Sequence, residues 1–297
     1  MVWCSGWKLA SAVSNSGGLG LIGSGSMRPE VLIEHIRKCK LATTNPFGVN
    51  VPLMYPEIET IMNILVDEGV NIVFTSAGSP AKWTSFLKEK GITVAHVVAN
   101  TKFALKCAEA GVDAVVAEGF EAGGHNGREE TTTMVLVPHV RKAIDLPLIA
   151  AGGIGTGRGM LAAMALGAEG VQIGSRFAAT VESSAHDAFK HRIVQASEGD
   201  TMLTIKQLAP VRLLKNKFFE MVQEAQSRGA NADEIKQLLG RGRAKLGMFE
   251  GNLEDGELEI GQVSAIIDNI KPASEVMKEI ISEFTEIKRN FCTEKIF

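Results

Sequence analysis

One histidine of the chain's six, His125, lies in the glycine-rich stretch EGFEAGGHNG, which begins at Glu118. An imidazole is easily tuned for proton transfer near neutral pH, and glycines let a loop approach a ligand closely. A solvated loop histidine is the simpler interpretation of such a residue in isolation. The neighbouring motifs favour a catalytic acid or base, whereas the other histidines lie in helix-like runs or, for His96, in a strand-like run.

Two successive strand-like runs end in glycine-rich turns that could bind phosphate. PLIAAGGIGTGRG contains Gly152 and Gly153, and EGVQIGSRF contains Gly174 and Ser175. Backbone N–H groups of such turns, the following helix dipole and a serine hydroxyl all favour an anion. Alternatively, these glycines make tight turns and bind no ligand. Two consecutive turns near the end of a β/α barrel favour phosphate.

Polar side chains also lie inside or at the end of other apolar runs. Asn50 ends FGVNV, Ser76 lies in FTSAGSP, and Gln172 lies in VQIG. A buried polar group without a partner costs about 1–3 kcal/mol. Each side chain could simply bond the neighbouring backbone. Together they indicate hydrogen-bonding groups that face one polar, planar ligand.

These residues are positioned by short apolar, β-branched runs that alternate with helical patterns. Repeated strand–helix units with nearly continuous apolar strands predict an α/β fold with a parallel sheet. A TIM-type β/α barrel is the leading expectation, and a doubly wound open sheet is the second. The predicted strands are 19–23, 47–51, 71–76, 92–98, 113–118, 147–153 and 169–174.

A closed barrel of this class has eight strands, so one is missing from this count. Either the first strand lies upstream of Met1, or a later, weaker segment completes the ring.

After about residue 197 the sequence shows helical patterns and turns but no further run typical of a buried strand. We expect a barrel over 1–197, a small, mainly helical region over 198–260, and a C-terminal helical segment over 261–297 that packs back on the barrel. The middle region could be a surface elaboration or a lid over the site.

Composition excludes several classes of protein. The formal net charge is −3, which gives no reason to expect nucleic acid or an anionic membrane as a partner. No apolar run approaches the roughly 20 residues that span a bilayer, and the N-terminus does not resemble a secretory signal. The scattered cysteines argue against a zinc site or disulfides and fit a reducing cytoplasm. A GxSxG elbow is absent, and GIGTGRG lacks the acidic residue that a dinucleotide site requires.

The linked motifs resemble one family in their order along the chain. ASAVSNSGGLGLIG, PFGVNV, AEGFEAGGHNG, PLIAAGGIGTGRG and GAEGVQIGSRF are similar to motifs of the FMN-dependent nitronate monooxygenases and enoyl-acyl-carrier-protein reductases II. The GELEIGQVSAII tail and the histidine loop look closer to the enoyl reductase branch.

The resemblance implies an FMN site at the carboxyl ends of the barrel strands, with a smaller inserted domain. His125 matches the family's catalytic histidine, and Met1 matches the methionine of its usual GGM motif. The strand and two glycines that precede that methionine in the family are absent here, in agreement with the count of seven. The implied flavin contacts, together with Ser76 from the strand-end group, are Met1, Asn50, Glu118, Ala122, Gly123 and Gly124; the implied phosphate contacts are Gly152, Gly153, Gln172, Gly174 and Ser175.

The resemblance further implies a hydride relay from NADH or NADPH through FMN to a 2-enoyl thioester on acyl carrier protein, as in fatty acid synthesis. A nitronate monooxygenase that uses O2 is the alternative, and a flavin-binding or apo barrel without turnover is a third. A homodimer is expected, with no nucleic-acid or membrane partner.

Overall fold

The computed structural model describes residues 1–293, so residues 294–297 of the expected C-terminal segment lie outside the described residues. Seven strands form one parallel sheet, and three form a smaller antiparallel sheet. The strands are Gly20–Gly23 (β1), Phe47–Pro52 (β2), Ile72–Ser76 (β3), Thr93–Val98 (β4), Ala114–Glu118 (β5), Gly124–His125 (β6), Leu148–Ala151 (β7), Gly170–Gln172 (β8), Thr201–Thr204 (β9) and Val211–Leu214 (β10).

Helices follow the strands of the large sheet and surround it. Two short 3-10 turns and one π-helical turn accompany them, at Ser24–Ser26, Gln262–Ile266 and Lys245–Phe249. The α-helices are Trp7–Asn15 (α1), Pro29–Ala42 (α2), Ile58–Asp67 (α3), Ala81–Glu89 (α4), Thr101–Ala110 (α5), Thr133–Ala143 (α6), Gly157–Ala165 (α7), Ser175–Ala178 (α8), Asp187–Val194 (α9), Lys217–Ser227 (α10), Ala232–Leu239 (α11) and Ala273–Thr293 (α12).

All seven predicted strands are confirmed, and they pair in chain order, β1-β2-β3-β4-β5-β7-β8. A doubly wound sheet would reverse its strand order at a switch point, so the sequential order supports the barrel instead. Alternate residues of the strands face two different cores. Val49, Val73 and Val115 pack outward on the helices. Phe74 and Val116 pack inward. The sheet is therefore curled into an incomplete TIM-type barrel.

The barrel opens between its edge strands β1 and β8, and no eighth strand joins them within residues 1–293. Met1 lies beside this opening. A Cβ placed on Gly174, just beyond β8, would lie 3.6 Å from Met1 Sδ, and one placed on Gly23 of β1 would lie 2.7 Å from the Met1 carbonyl oxygen. The first residues therefore contact both edges of the gap at its carboxyl end.

The region 198–260 contains α10 and α11, as its helical patterns indicate, but also the strands β9 and β10, which we did not predict. Each strand is only four residues long. β10 carries a charge, Arg212, in an otherwise apolar run, which obscured its strand pattern. The small sheet has the order β6-β10-β9, so this region pairs with the loop of His125.

The C-terminal helix α12 packs against α7 and α1. The carboxylate of Glu283 on α12 accepts a hydrogen bond of 2.7 Å from the Gly157 N–H at the start of α7. Among the described residues, no helix combines the length and the hydropathy that a membrane span requires.

Candidate functional site

Four of the predicted polar residues lie on the inner face of the barrel strands, near their carboxyl ends. Asn50 alternates with Val49 and Val51, whose side chains pack outward on the helices. By the same alternation Ser76, Glu118 and Gln172 face inward. Glu118 and Gln172 flank Ala151 in the strand register, at the same level of the barrel. The predicted ring of hydrogen-bonding groups is thus brought together at one end of the barrel.

Only some of the polar groups in this ring have a hydrogen-bond partner within the protein. The Asn50 amide donates to the Phe74 carbonyl at 3.2 Å, as the simpler interpretation of this residue expected. Gln172 Oε1 is buried and has no hydrogen-bond partner. Burial raises the pKa of Glu118 to about 7, because the barrel interior disfavours its charged form. The ring therefore retains hydrogen-bonding capacity for a ligand.

The first glycine turn has a backbone that other residues would strain. Gly152 and Gly153 have φ of +91° and +71°, in the left-handed region that favours glycine. A Cβ on Gly152 would lie 2.7 Å from the Gly119 carbonyl oxygen. Successive N–H groups in such a turn form an anion-binding concavity. Glu283 accepts the Gly157 N–H at the tip of α7, so the N–H groups of the turn itself are the ones left for the predicted phosphate.

The second glycine turn, Gly174–Ser175, follows β8. Ser175 Oγ accepts a hydrogen bond of 3.0 Å from the Gly261 N–H. A hydroxyl that accepts one bond can still donate its own proton, so Ser175 keeps the donor role that the sequence suggested.

The His125 loop is held firmly, although its glycines indicated flexibility. His125 pairs with Val211 across the small sheet. The next residue, Asn126, donates its backbone N–H to the Pro210 carbonyl at 2.9 Å and its side-chain amide to the Ala122 and Gly124 carbonyls. The His125 side chain is exposed. A fixed backbone with an exposed imidazole suits a group that must reach a bound ligand.

Arg212 connects the small sheet to the same loop, and it was not predicted as a functional residue. Its side chain is 1 % exposed. The guanidinium donates to the Phe120 carbonyl at 2.8 and 3.2 Å and lies 4.4 Å from the centre of the Phe120 ring. A buried charge requires such partners. An arginine within a short apolar run was the only sequence signal for this role.

A second unpredicted feature is the segment 257–262, which runs along the His125 loop. Gln262 N–H donates to the Glu121 carbonyl at 2.9 Å. A Cβ on Gly123 would lie 2.4 Å from the Ile260 carbonyl carbon, so glycine permits this close approach. With Gly261 bonded to Ser175, the segment joins the histidine loop to the second glycine turn. Its alternating sequence, ELEI, was the available signal.

These observations fit an FMN group. The two glycine turns provide amides for a phosphate, and the inward polar ring with its unpartnered Gln172 oxygen provides acceptors for a polar ring system. Ala122, Gly123 and Gly124 lie in the His125 loop, and Met1 lies beside Gly174. The individual contacts to the cofactor stay predictions.

Comparison with known proteins finds relatives that match most of the chain. A sequence profile described as nitronate monooxygenase matches residues 1–62 and 57–283. The structure of FabK from Thermotoga maritima superposes with a TM-score of 0.93 at 43 % identity, covering 98 % of this chain and 93 % of that one.

Two curated relatives are similar over nearly their whole length. One, from Mycobacterium tuberculosis, is named (3aS,4S,5R,7aS)-5-hydroxy-7a-methyl-1-oxo-octahydro-1H-indene-4-carboxyl-CoA dehydrogenase; it is 32 % identical over 321 residues, covering 95 % of this chain and 90 % of its own. A probable nitronate monooxygenase from Staphylococcus saprophyticus is 31 % identical over 326 residues, covering 94 % and 91 %. The chain is therefore an oxidoreductase that belongs to the flavin-dependent nitronate monooxygenase family, whose flavin is generally FMN.

Proposed function

We propose that this chain is an FMN-dependent enoyl-acyl-carrier-protein reductase of the FabK type, acting on 2-enoyl thioesters in fatty acid synthesis. The observation that carries the proposal is the likeness to FabK, at 43 % identity over 98 % of the chain. The Mycobacterium tuberculosis relative is named for a CoA thioester, which supports the same class of substrate.

When bound, FMN would supply the hydride chemistry that links NADH or NADPH to the β-carbon of the enoyl thioester. Gly152, Gly153 and the Gly174–Ser175 turn would hold its phosphate. Asn50, Ser76, Glu118 and Gln172 would face its ring system from the barrel interior. The protein thereby contributes position and electrostatics.

His125 completes the reduction. The carbon α to the thioester carbonyl must gain a proton as the β-carbon gains hydride, and the carbonyl oxygen gains negative charge. The imidazole of His125, on the loop that follows β5, would donate that proton or a hydrogen bond to that oxygen. Pairing with Val211 fixes the backbone from which the imidazole reaches the substrate.

An anaerobic titration tests the proposal. FMN-loaded protein is reduced by stoichiometric NADH or NADPH, and crotonyl thioester is then added. We expect the flavin absorbance to return and the saturated thioester to form in equal amount by mass spectrometry. Flavin that stays reduced after the addition would refute an enoyl reductase.

A nitronate monooxygenase is the second candidate, supported by the family profile and the Staphylococcus relative. His125 would then remove the α-proton of a nitroalkane, and O2 would replace the enoyl acceptor. This activity would be favoured if the protein consumed O2 with a nitronate but did not oxidise NADH in the presence of crotonyl thioester.

A further inference from the structure

The segment 257–262 presents two carboxylates on one side. Leu258 and Ile260 are 1 % and 3 % exposed and belong to a core with Phe189. Glu257 and Glu259 alternate with them and are only partly buried. In extended backbone this alternation directs both glutamates away from that core.

Glu259 lies beside His125. A Cβ on Gly124 would lie 2.5 Å from Glu259 Oε2, so the carboxylate rests on the residue that precedes His125. Glu259 is also opposite Leu213 on β10, while His125 is opposite Val211. Val211 and Leu213 are two positions apart on β10. The backbones of His125 and Glu259 therefore lie about 7 Å apart, with both side chains on the same face of the small sheet.

Glu259 also interacts electrostatically with the N-terminal residues. Burial raises the pKa of the Cys4 thiol to about 12, and the Glu259 carboxylate contributes to that rise. Cys4 belongs to the N-terminal residues at the barrel opening, whereas Gly124 follows β5. The carboxylate is therefore close enough to both segments to interact with them electrostatically.

The surrounding cations do not neutralise this carboxylate. None of the ion pairs within residues 1–293 includes Glu259. Burial, and then the charge of Glu259, raise the pKa of Glu257 to about 8, and the charge of Arg243 partly opposes this rise. Arg212 donates to Phe120 and lies near Glu121 and Glu130. The neutral form of Glu257 is therefore favoured, and no cation pairs with Glu259 within residues 1–293.

We propose that Glu259 is a specificity-determining residue that disfavours anionic acceptors beside His125 and so favours an uncharged enoyl thioester over a nitronate. Like charges brought together in a partly desolvated site cost binding energy, which is how a site rejects a wrong partner. The inference rests on the proposed function, since it names the class of acceptor for the same site.

The test uses a ligand pair that differs only in charge, neutral 2-nitropropane and its nitronate anion. Binding to oxidised, FMN-loaded protein is measured anaerobically from the change in flavin absorbance. Glu259→Gln should bind the nitronate roughly tenfold more tightly than the native protein, with the affinity for 2-nitropropane unchanged. Glu259→Met is a second neutral variant, should the glutamine variant fail to fold.

Two variants provide the controls. Glu259→Asp keeps the charge and should bind both ligands as the native protein does. Glu254→Gln removes an exposed carboxylate close in sequence and should also behave as native. Equal changes for both ligands in Glu259→Gln, or no change for the nitronate, would overturn the inference.

The binding ratio requires no turnover, so the two proposals fail separately. A native protein that does not reduce crotonyl thioester contradicts the proposed function, whatever the binding ratio. If the native protein reduces crotonyl thioester but Glu259→Gln does not change the nitronate affinity, only the proposed role of Glu259 is contradicted.

Discussion

At the scale of single residues, the support of His125 differs from that of the buried His96. The side chain of His125 is exposed, yet its backbone is paired with Val211 and followed by the bonded Asn126. His96 shows the opposite arrangement. It is 3 % exposed and its ring nitrogen lies 2.6 Å from Thr75 Oγ1 on the outer side of the barrel sheet. Support of the backbone alone, with a free imidazole, is what proton transfer to a ligand requires.

The first prediction concerns this imidazole. Replacing His125 by Ala should lower the rate of enoyl thioester reduction by about 10²–10⁴-fold, because a positioned acid is lost. The affinity for FMN should not change, since the glycine turns are intact. Stopped-flow reoxidation of the reduced protein and a flavin titration measure the two quantities.

His139→Ala is the matched control, because His139 is exposed on α6 and should not affect either quantity. A His125→Ala protein with full thioester reduction would show that another group supplies the proton.

At the scale of elements, the glycine turn after β7 should be essential for cofactor binding. Alanine at Gly153, where φ is +71°, costs roughly 1–2 kcal/mol and shifts the amides that face the phosphate. We expect Gly153→Ala to be less stable and to bind FMN more weakly, as measured by denaturant unfolding and by flavin fluorescence titration.

Gly91 allows these two effects to be separated. It has φ of +75° and nothing within 4 Å of an added Cβ, so Gly91→Ala should have a similar stability cost with FMN affinity intact. Equal FMN affinities for the two variants would argue against a phosphate site at Gly153.

The connection between the small sheet and the histidine loop should depend on Arg212. Arg212→Met leaves the Phe120 carbonyl without its donors, at a cost of about 1–3 kcal/mol. We expect faster amide hydrogen exchange across residues 119–127 and a lower rate of thioester reduction. Arg212→Lys, which keeps a donor, should be intermediate.

Arg228→Met, at an exposed site on the surface of the same region, is the control. Unchanged exchange across 119–127 in Arg212→Met would mean that the strand pairing alone holds the loop.

At the scale of the whole molecule, the sequence predicted the barrel well because its strands are buried on both faces. Continuous apolar runs identify such strands, and the polar residues that interrupt them, such as Asn50 and Gln172, mark the inner face. The strand pair β9 and β10 was missed because four-residue strands with a buried arginine have no clear period. The role of Glu259 depends on a contact with a loop more than 130 positions away, which no local pattern contains.

Three buried or partly buried groups should give the fold a distinct pH dependence. The pKa of Glu118 is about 7 and that of Glu257 is about 8, both raised by burial, whereas burial lowers the pKa of His96 to about 4. The glutamates stabilise the fold fully below their unfolded pKa and lose this contribution as pH rises through 7 and 8. His96 contributes above its unfolded pKa of about 6.5, and that contribution is lost as pH falls towards 4.

From these groups we expect the free energy of unfolding to fall between pH 6.5 and 8, where only the glutamates still titrate. The slope is at most about 1.4 kcal/mol per pH unit for each group. Urea unfolding across this range measures it. Glu257→Gln should flatten the slope across the whole range and Glu118→Gln mainly in its lower part, and unchanged slopes in both would contradict the assignment.

The central claim is that two neighbouring glycine turns hold the FMN phosphate while His125 reaches an acceptor stacked on the flavin ring. A crystal structure of the chain with FMN and a non-reactive saturated thioester tests it most directly. We predict phosphate oxygens on the amides of Gly153 and of the Gly174–Ser175 turn, with the imidazole about 3 Å from the thioester oxygen or its α-carbon. A phosphate bound elsewhere, or an imidazole directed away from the thioester, would contradict the account.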